Sequence, residues 1–259
     1  MSDIRIVNLK KQKTLKSQKL SRKELQKVVE FNALNLLGLR IIDFDYPLDN
    51  KDNEVIETLA IDETYTITII EYRSGKFGKL INKGLHHVDY IKENISEVKI
   101  LIKDKLGENL VNQINYNPRL VIIGDDFNKY DEHAIKALPI QVDLIKYQLF
   151  DNSYFVLEKN YVSKSIDHSQ FTHRFSEKHE LELYKSLRDF ILSLGDEVIE
   201  YGLNQTLCYR KINYFAFITF SDNIIVNLNI NNKTKDIIIK TQKDFEKACK
   251  YIEQAYDER

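Results

Sequence analysis

The sequence predicts an α/β fold for residues 1–160, then a linker at 161–178 and a small α+β domain at 179–259. Three observations lead to this prediction. Strand-like and helix-like segments alternate through the first part, as in layered α/β domains. The stretch around 161–178 is polar and has no sustained periodicity, which is typical of a linker. Beyond it follow a helix with Leu183, Leu187 and Ile191 on its apolar face, several short strands, and a last helix with Ala248, Ile252 and Ala255 on its inner face.

The composition excludes several classes of protein. The 259 residues are 43% hydrophobic, and 38 basic side chains balance 39 acidic ones. With a net charge of −1, any contact with nucleic acid has to come from a local basic patch. Only two cysteines are present, far apart, so a disulfide framework is not expected. The polar, Lys-rich start is unlike a signal peptide, and the apolar runs are too short for a membrane span. We therefore expect a cytoplasmic protein without a membrane partner.

The first domain is predicted to begin with a short strand at Ile4–Leu9 and a basic loop. Ser21 is a candidate helix N-cap, with Glu24 in the reciprocal capping-box position. The apolar face of the helix comprises Leu25, Val28, Val29, Leu36 and Leu37, and Gly38 is expected to end the helix. The segments that follow are strands at Leu39–Phe44, Val55–Ile61 and Thr66–Tyr72, helical stretches at 77–94 and 98–106, a strand at Pro118–Ile123, a short helix at 131–138 and strands at Val142–Phe150 and Tyr154–Glu158.

Two acidic side chains on one predicted hairpin are the candidates for chemistry. If the loop is Glu63 to Tyr65, Glu57 and Glu71 are cross-strand partners and project to the same side. Arg73 follows on that side because strand side chains alternate with period two. Two buried carboxylates repel one another, and a divalent cation such as Mg²⁺ would resolve that cost. The alternative is that Glu71 and Arg73 form an ordinary surface pair, worth under about 1 kcal/mol.

The order of elements resembles a bacterial family within the PD-(D/E)XK nuclease superfamily, related to the NucS-like endonucleases. In that family a helix bearing a Glu precedes a hairpin with an Asp and then a Glu-x-Lys. Here Glu30 lies at the helix position, Glu57 begins a segment similar to Asp-Thr-Leu-Gly-Ile-Asp, and Ile70 to Arg73 is similar to Ile-Glu-Tyr-Lys. Ile81 to Leu85 is similar to the family's Ile-Asn-Gln-Gly-Leu. Glu182 to Gly195 resembles a domain catalogued only as of unknown function.

The resemblance implies a restriction-endonuclease-like mixed sheet flanked by helices. It also implies hydrolysis of DNA with Mg²⁺ or Mn²⁺ ligated by Glu57 and Glu71. Glu30 would assist from the helix, and Arg73 would stabilise the charge on the phosphate. The family's Asp, Lys and Gln are here Glu57, Arg73 and Lys83, and Arg73 cannot act as a base near neutral pH. These departures indicate weakened or lost cleavage, and the alternative is a non-catalytic nucleic-acid- or protein-binding adaptor. Pairing into a homodimer is a further expectation from the resemblance.

Other polar and aromatic side chains leave two interpretations open. Lys76, Lys79 and Lys83 form either a phosphate-contacting rim or a solvated basic helix face. Of His86 and His87, one is expected to face the sheet and the other the solvent. In the second domain, aromatic residues at 201, 209, 214, 215 and 217 stand near Arg210 and Lys211. These aromatics either stack bases or simply build the core, and the core interpretation is favoured.

Overall fold

The computed structural model describes residues 4–48, 53–73, 80–162, 178–203, 206–221, 223–231 and 233–259. The chain divides into two compact units, Met1–Ser163 and Lys164–Arg259, which we call the first and second units. The first unit consists of helices and a mixed sheet, and the second unit consists of helices and an antiparallel sheet. This arrangement confirms the predicted α/β class. Residues 163–177 of the predicted linker lie outside the described residues. None of the helices in the described part of the chain combines the length and apolar character that a membrane crossing requires.

A seven-stranded mixed sheet forms the centre of the first unit. Its strands run in the order β3-β8-β7-β6-β5-β4, and β9 pairs with β8. Strands β4, β5 and β6 form an antiparallel meander, whereas β6, β7 and β8 are parallel. The strands of this unit are β1 Val7–Asn8, β2 Lys13–Thr14, β3 Ser17–Gln18, β4 Arg40–Pro47, β5 Val55–Ile61, β6 Thr66–Tyr72, β7 Asn115–Gly124, β8 Val142–Phe150 and β9 Tyr154–Val162.

Helices, some of which connect the parallel strands β6, β7 and β8, cover both faces of this sheet. They are α1 Arg22–Phe31, α2 Ala33–Leu37, α3 Leu80–Glu93, α4 Ile95–Leu106, α5 Glu108–Val111 and α6 Lys129–Lys136. Every residue of β6 is buried, as expected for a strand covered on both faces. The odd-numbered apolar residues of β6 share a core with Val88 and Ile91 of α3. On the other face, Thr58 contacts both Tyr72 and Glu30 of α1. Helices α1 and α3 therefore lie on opposite faces.

The first helix begins as predicted but ends earlier. Ser21 and Glu24 form the predicted capping box, and Gly38 ends the helical segment in the left-handed conformation with φ of 64°. The single predicted helix is divided at Asn32 into α1 and α2. The Asn32 side chain donates to the carbonyl of Val28 at 2.8 Å. Such local side-chain bonds compete with the helical pattern, and apolar periodicity alone does not reveal them.

We expect the change Ser21→Ala to lower the free energy of unfolding by about 1 kcal/mol, because it leaves a helix amide without its acceptor. Urea denaturation of the full chain measures this loss. Ser21→Asp is the matched control, since an aspartate can accept the same hydrogen bond. Equal destabilisation by both substitutions would contradict the capping role.

The second unit is a five-stranded antiparallel sheet in sequential strand order with two helices. Its elements are α7 Lys178–Ser193, β10 Ile199–Leu203, β11 Thr206–Arg210, β12 Tyr214–Phe220, β13 Ile224–Ile230, β14 Lys233–Ile239 and α8 Gln242–Asp257. The apolar faces predicted for both helices enter one core with the sheet. Tyr209, Tyr214 and Phe215 are at most 2% exposed, so these aromatics are core residues rather than an open stacking surface.

Candidate carboxylate site of the first unit

The β5–β6 hairpin has the register that the sequence predicts. Paired residues run from Thr58 opposite Ile70 to Ile61 opposite Ile67. One residue further, this register places Glu57 opposite Glu71. The pairing stops before that point, and the amide of Tyr72 donates instead to Glu57 Oε2 at 3.0 Å. The two acidic residues therefore lie at the same end of neighbouring strands, where the ladder ends. Their side chains do not share one side as the sequence predicts, because helices on opposite faces of the sheet bind them.

Glu57 is bound by helix α1. Its side chain is about 5% exposed, and Oε1 forms an ion pair with Arg22. Gln26, one turn further along α1, donates to the main-chain carbonyl of Glu57 at 3.0 Å. Residues four apart on a helix share a face, so α1 presents both groups to the end of β5. The half-exposed Arg22 thus compensates the negative charge of the buried Glu57.

Glu71 is bound by helix α3 on the opposite face. The residue is fully buried. Lys83 Nζ lies 3.1 Å from Glu71 Oε2, and His87 Nδ1 lies 2.7 Å from Oε1. Lys83 and His87 are also four residues apart on one helix face. Gly84 lets α3 approach the sheet, since a Cβ there would stand 2.6 Å from a methyl of Leu120.

The contacts of Glu71 extend through His87 to Glu54. His87 Nε2 lies 3.3 Å from Glu54 Oε1, and His86 Nε2 lies 3.5 Å from Oε2. The side chain of His87 is fully buried and that of His86 is 55% exposed, which confirms the prediction for this pair. Sequence reasoning did not assign a role to Arg22, Glu54 or His87 at the site. The i, i+4 spacing of Lys83 and His87 was the one signal that pointed to their shared face.

Glu30 lies on the α1 face and reaches the hairpin through Thr58. The Thr58 hydroxyl donates to Glu30 Oε1 at 2.6 Å, and Gln26 Nε2 donates to the same oxygen at 2.9 Å. Partial burial raises the pKa of Glu30, and these two hydrogen bonds oppose that effect. Thr58 also contacts the hydroxyl of Tyr72. Burial raises the pKa of this Tyr72 hydroxyl, which therefore stays protonated. The hydrogen bonds of Glu30 among the described residues thus support the hairpin and do not involve the carboxylates of Glu57 or Glu71.

Arg73 is held by helix α6. Its Nη1 lies 3.2 Å from Asp131 Oδ2, and the guanidinium lies 5.5 Å from the centre of the Phe127 ring. Asp131 also closes the capping box at the start of α6. These contacts bind Arg73 to the end of the sheet beside α6. The predicted phosphate-binding residues Lys76 and Lys79 lie outside the described residues, whereas Lys83 faces Glu71 rather than an open helix surface.

The donor set suits a hard divalent cation by type, because Mg²⁺ prefers carboxylate oxygens. However, the negative charges of both carboxylates are already compensated within the protein. Each oxygen of Glu57 and Glu71 has a cationic, imidazole or amide partner within the protein. Within the described residues, no set of three His, Cys, Asp or Glu side chains is arranged to hold a metal ion. A cation bound by both carboxylates would therefore require Arg22 and Lys83 to move away from them.

No family model, no curated protein and no solved structure matches this chain.

Proposed function

We propose that the first unit acts on nucleic acid, with DNA as the expected substrate, and hydrolyses phosphodiester bonds with Mg²⁺ or Mn²⁺. The observation that supports this most strongly is the pair Glu57 and Glu71. Both are at most 3% exposed, and they lie at the same end of adjacent strands, each beside a cationic side chain of the same chain. Buried acidic groups beside specific charged partners are enriched at functional sites, because burying a carboxylate is costly.

Each residue of the site would have a separate role. Glu57 and Glu71 would hold the cation, which when bound would activate water and stabilise charge on the phosphate. Lys83, which lies 3.1 Å from Glu71 in the resting protein, would leave that carboxylate when the cation binds and share the charge on the phosphate, because Arg73 is already bound to Asp131. Glu30 would keep the hairpin in place through Thr58. Arg22 would release Glu57 when substrate phosphate arrives.

The test is cleavage of single-stranded, duplex and branched DNA and of RNA with Mg²⁺ or Mn²⁺. We expect wild-type cleavage to be weak and Glu71→Gln to lower it by about 100-fold or more, as is typical when a charge-stabilising group of a reaction centre is lost. Glu108→Gln is the matched control, since Glu108 carries a side chain that is 75% exposed. The proposal is wrong if no substrate is cleaved and the double change Glu57→Asp, Arg73→Lys restores nothing.

A second candidate function is a non-catalytic nucleic-acid- or protein-binding adaptor. One observation favours it: Arg22 already contacts the carboxylate of Glu57, and Lys83 and His87 already contact that of Glu71. On this alternative, calorimetric titration with Mn²⁺ gives no heat of binding. Nucleic-acid binding is then salt-dependent and survives both a chelator and Glu71→Gln.

The variant Arg22→Gln separates the two candidates further. Removing the Arg22 guanidinium leaves Glu57 without its charge partner. If the protein is a hydrolase, Mn²⁺ should therefore bind more tightly to this variant, and Glu71→Gln should abolish that binding. The adaptor predicts no Mn²⁺ binding in either variant.

A further inference from the structure

The segment at residues 4–20, which we call the basic arm, carries only positively charged side chains among its ionised residues. It contains six Lys or Arg residues and no Asp or Glu, although the whole chain is balanced at 38 basic to 39 acidic residues. Such a concentration supplies the local patch that a protein of neutral net charge needs for a polyanionic partner. The arm runs directly into helix α1, which begins with Arg22, the partner of Glu57.

Main-chain contacts hold the basic arm in a defined shape. Strands β1 and β2 form a small hairpin, in which Val7 pairs with Thr14 and Asn8 with Lys13. Strand β3 then pairs with the end of β8. The amide of Lys16 donates to Asp151 at 2.9 Å, and the amide of Leu20 donates to the hydroxyl of Tyr147 at 3.0 Å. Backbone contacts therefore anchor the arm, together with the ion pair of Lys19 with Asp125, while Lys10, Lys11, Lys13 and Lys16 stay exposed.

The exposed side chains of the β1–β2 hairpin indicate a nucleic-acid partner. Lys10, Lys11, Lys13 and Lys16 are exposed, and none of them forms an ion pair with any described residue. Leu9, at the hairpin tip among these lysines, is 85% exposed. A two-stranded β-ribbon fits the major groove of duplex DNA, and lysines along it can neutralise phosphates. An exposed apolar side chain at the tip can contact bases or sugars within a groove.

We infer that the basic arm is a contact surface for duplex nucleic acid, on which Lys10, Lys11, Lys13 and Lys16 bind phosphates and Leu9 enters a groove. The inference rests on the proposed function in that the partner is the same. It adds a binding surface separate from the carboxylates.

The test is fluorescence anisotropy of the full chain with a labelled DNA duplex in the presence of a chelator, over a series of salt concentrations. In the triple variant Lys10→Gln, Lys11→Gln, Lys13→Gln we expect binding to weaken by about tenfold or more. The slope of log K against log salt should fall by about 2.7, near 0.9 for each phosphate that the variant no longer neutralises. Leu9→Ser should weaken binding with little change in that slope.

The matched control removes the same charge elsewhere. Lys243, Lys247 and Lys250 lie exposed on α8, and their replacement by Gln should leave duplex binding unchanged. Equal weakening by both triple variants, or none by the arm variant, overturns the inference. So does arm-dependent binding to phosphatidylserine vesicles without binding to duplex. Because the chelator removes any metal-dependent step, failure of cleavage with arm-dependent binding intact counts against the proposed hydrolysis alone.

Discussion

Replacing Arg119 by leucine is expected to lower the free energy of unfolding by about 3–5 kcal/mol. Arg119 lies on β7 and is 3% exposed. Its Nη1 stands 3.5 Å from Asp62 Oδ2 and 3.8 Å from Asp143 Oδ2, and both carboxylates are almost fully buried. Without the guanidinium, two buried negative charges would lose this compensating cation. Removing one member of such a group costs far more than breaking a surface pair.

Urea denaturation with hydrogen exchange at the amides of β7 and β8 measures this effect in the first unit. Arg119→Lys is the matched control, because it keeps the positive charge and should cost clearly less. Asp62 also accepts from the amides of Thr64 and Thr66 through its other oxygen, so the hairpin turn should loosen together with the sheet. A loss below about 1 kcal/mol for Arg119→Leu would contradict this account of the buried group.

Replacing Glu71 by alanine is expected to cost about 3 kcal/mol, because Lys83 and His87 would lose their shared carboxylate. Lys83 keeps some access to solvent, which reduces the loss, whereas His87 is fully buried. Glu71→Gln should cost less, since an amide can still bond to His87. Thermal or urea unfolding of the full chain measures the difference, with Glu108→Gln again as the surface control.

The variant Glu71→Ala also tests whether Lys83 and His87 balance the negative charge of Glu71 in the resting protein. A reactive carboxylate held in an unfavourable environment is often destabilising, and its removal then raises stability. Here Lys83 and His87 already balance Glu71, so its removal should instead lower stability. An unchanged or raised free energy of unfolding in Glu71→Ala would show that these partners contribute little. Replacing all three residues by apolar ones of similar volume should restore much of the loss.

Much of the architecture could be predicted from local pattern. The capping box at Ser21, the turn after Ile61, the hairpin register and the apolar helix faces of the second unit are all confirmed. Each depends on side chains that are close in sequence or on simple alternation. The break at Asn32 was missed because it depends on one side-chain hydrogen bond that periodicity does not register.

The candidate site was predicted in part. Glu57 and Glu71 were predicted to be cross-strand partners that project to the same side. The register brings them to the same end of adjacent strands, but their side chains contact helices on opposite faces. Their partners were not foreseen, since Arg22 comes from a helix on one face of the sheet and His87 from a helix on the other. Lys83 was predicted either to contact phosphate or to lie on a solvated helix face, and instead it contacts Glu71. Sequence spacing can show which residues share a helix face, but not what that face meets.

Alternation, capping and turn chemistry are encoded within a few residues, so the α/β class, the hairpin and its register follow from the chain alone. What compensates each buried carboxylate depends instead on how closely α1 and α3 approach the sheet. That approach is a matter of long-range packing, as the contact of Gly84 with Leu120 illustrates. Coulomb energies in a buried site change steeply with distance and solvent access, so the charge balance of Glu57 and Glu71 is settled by the folded arrangement of Arg22, Lys83 and His87.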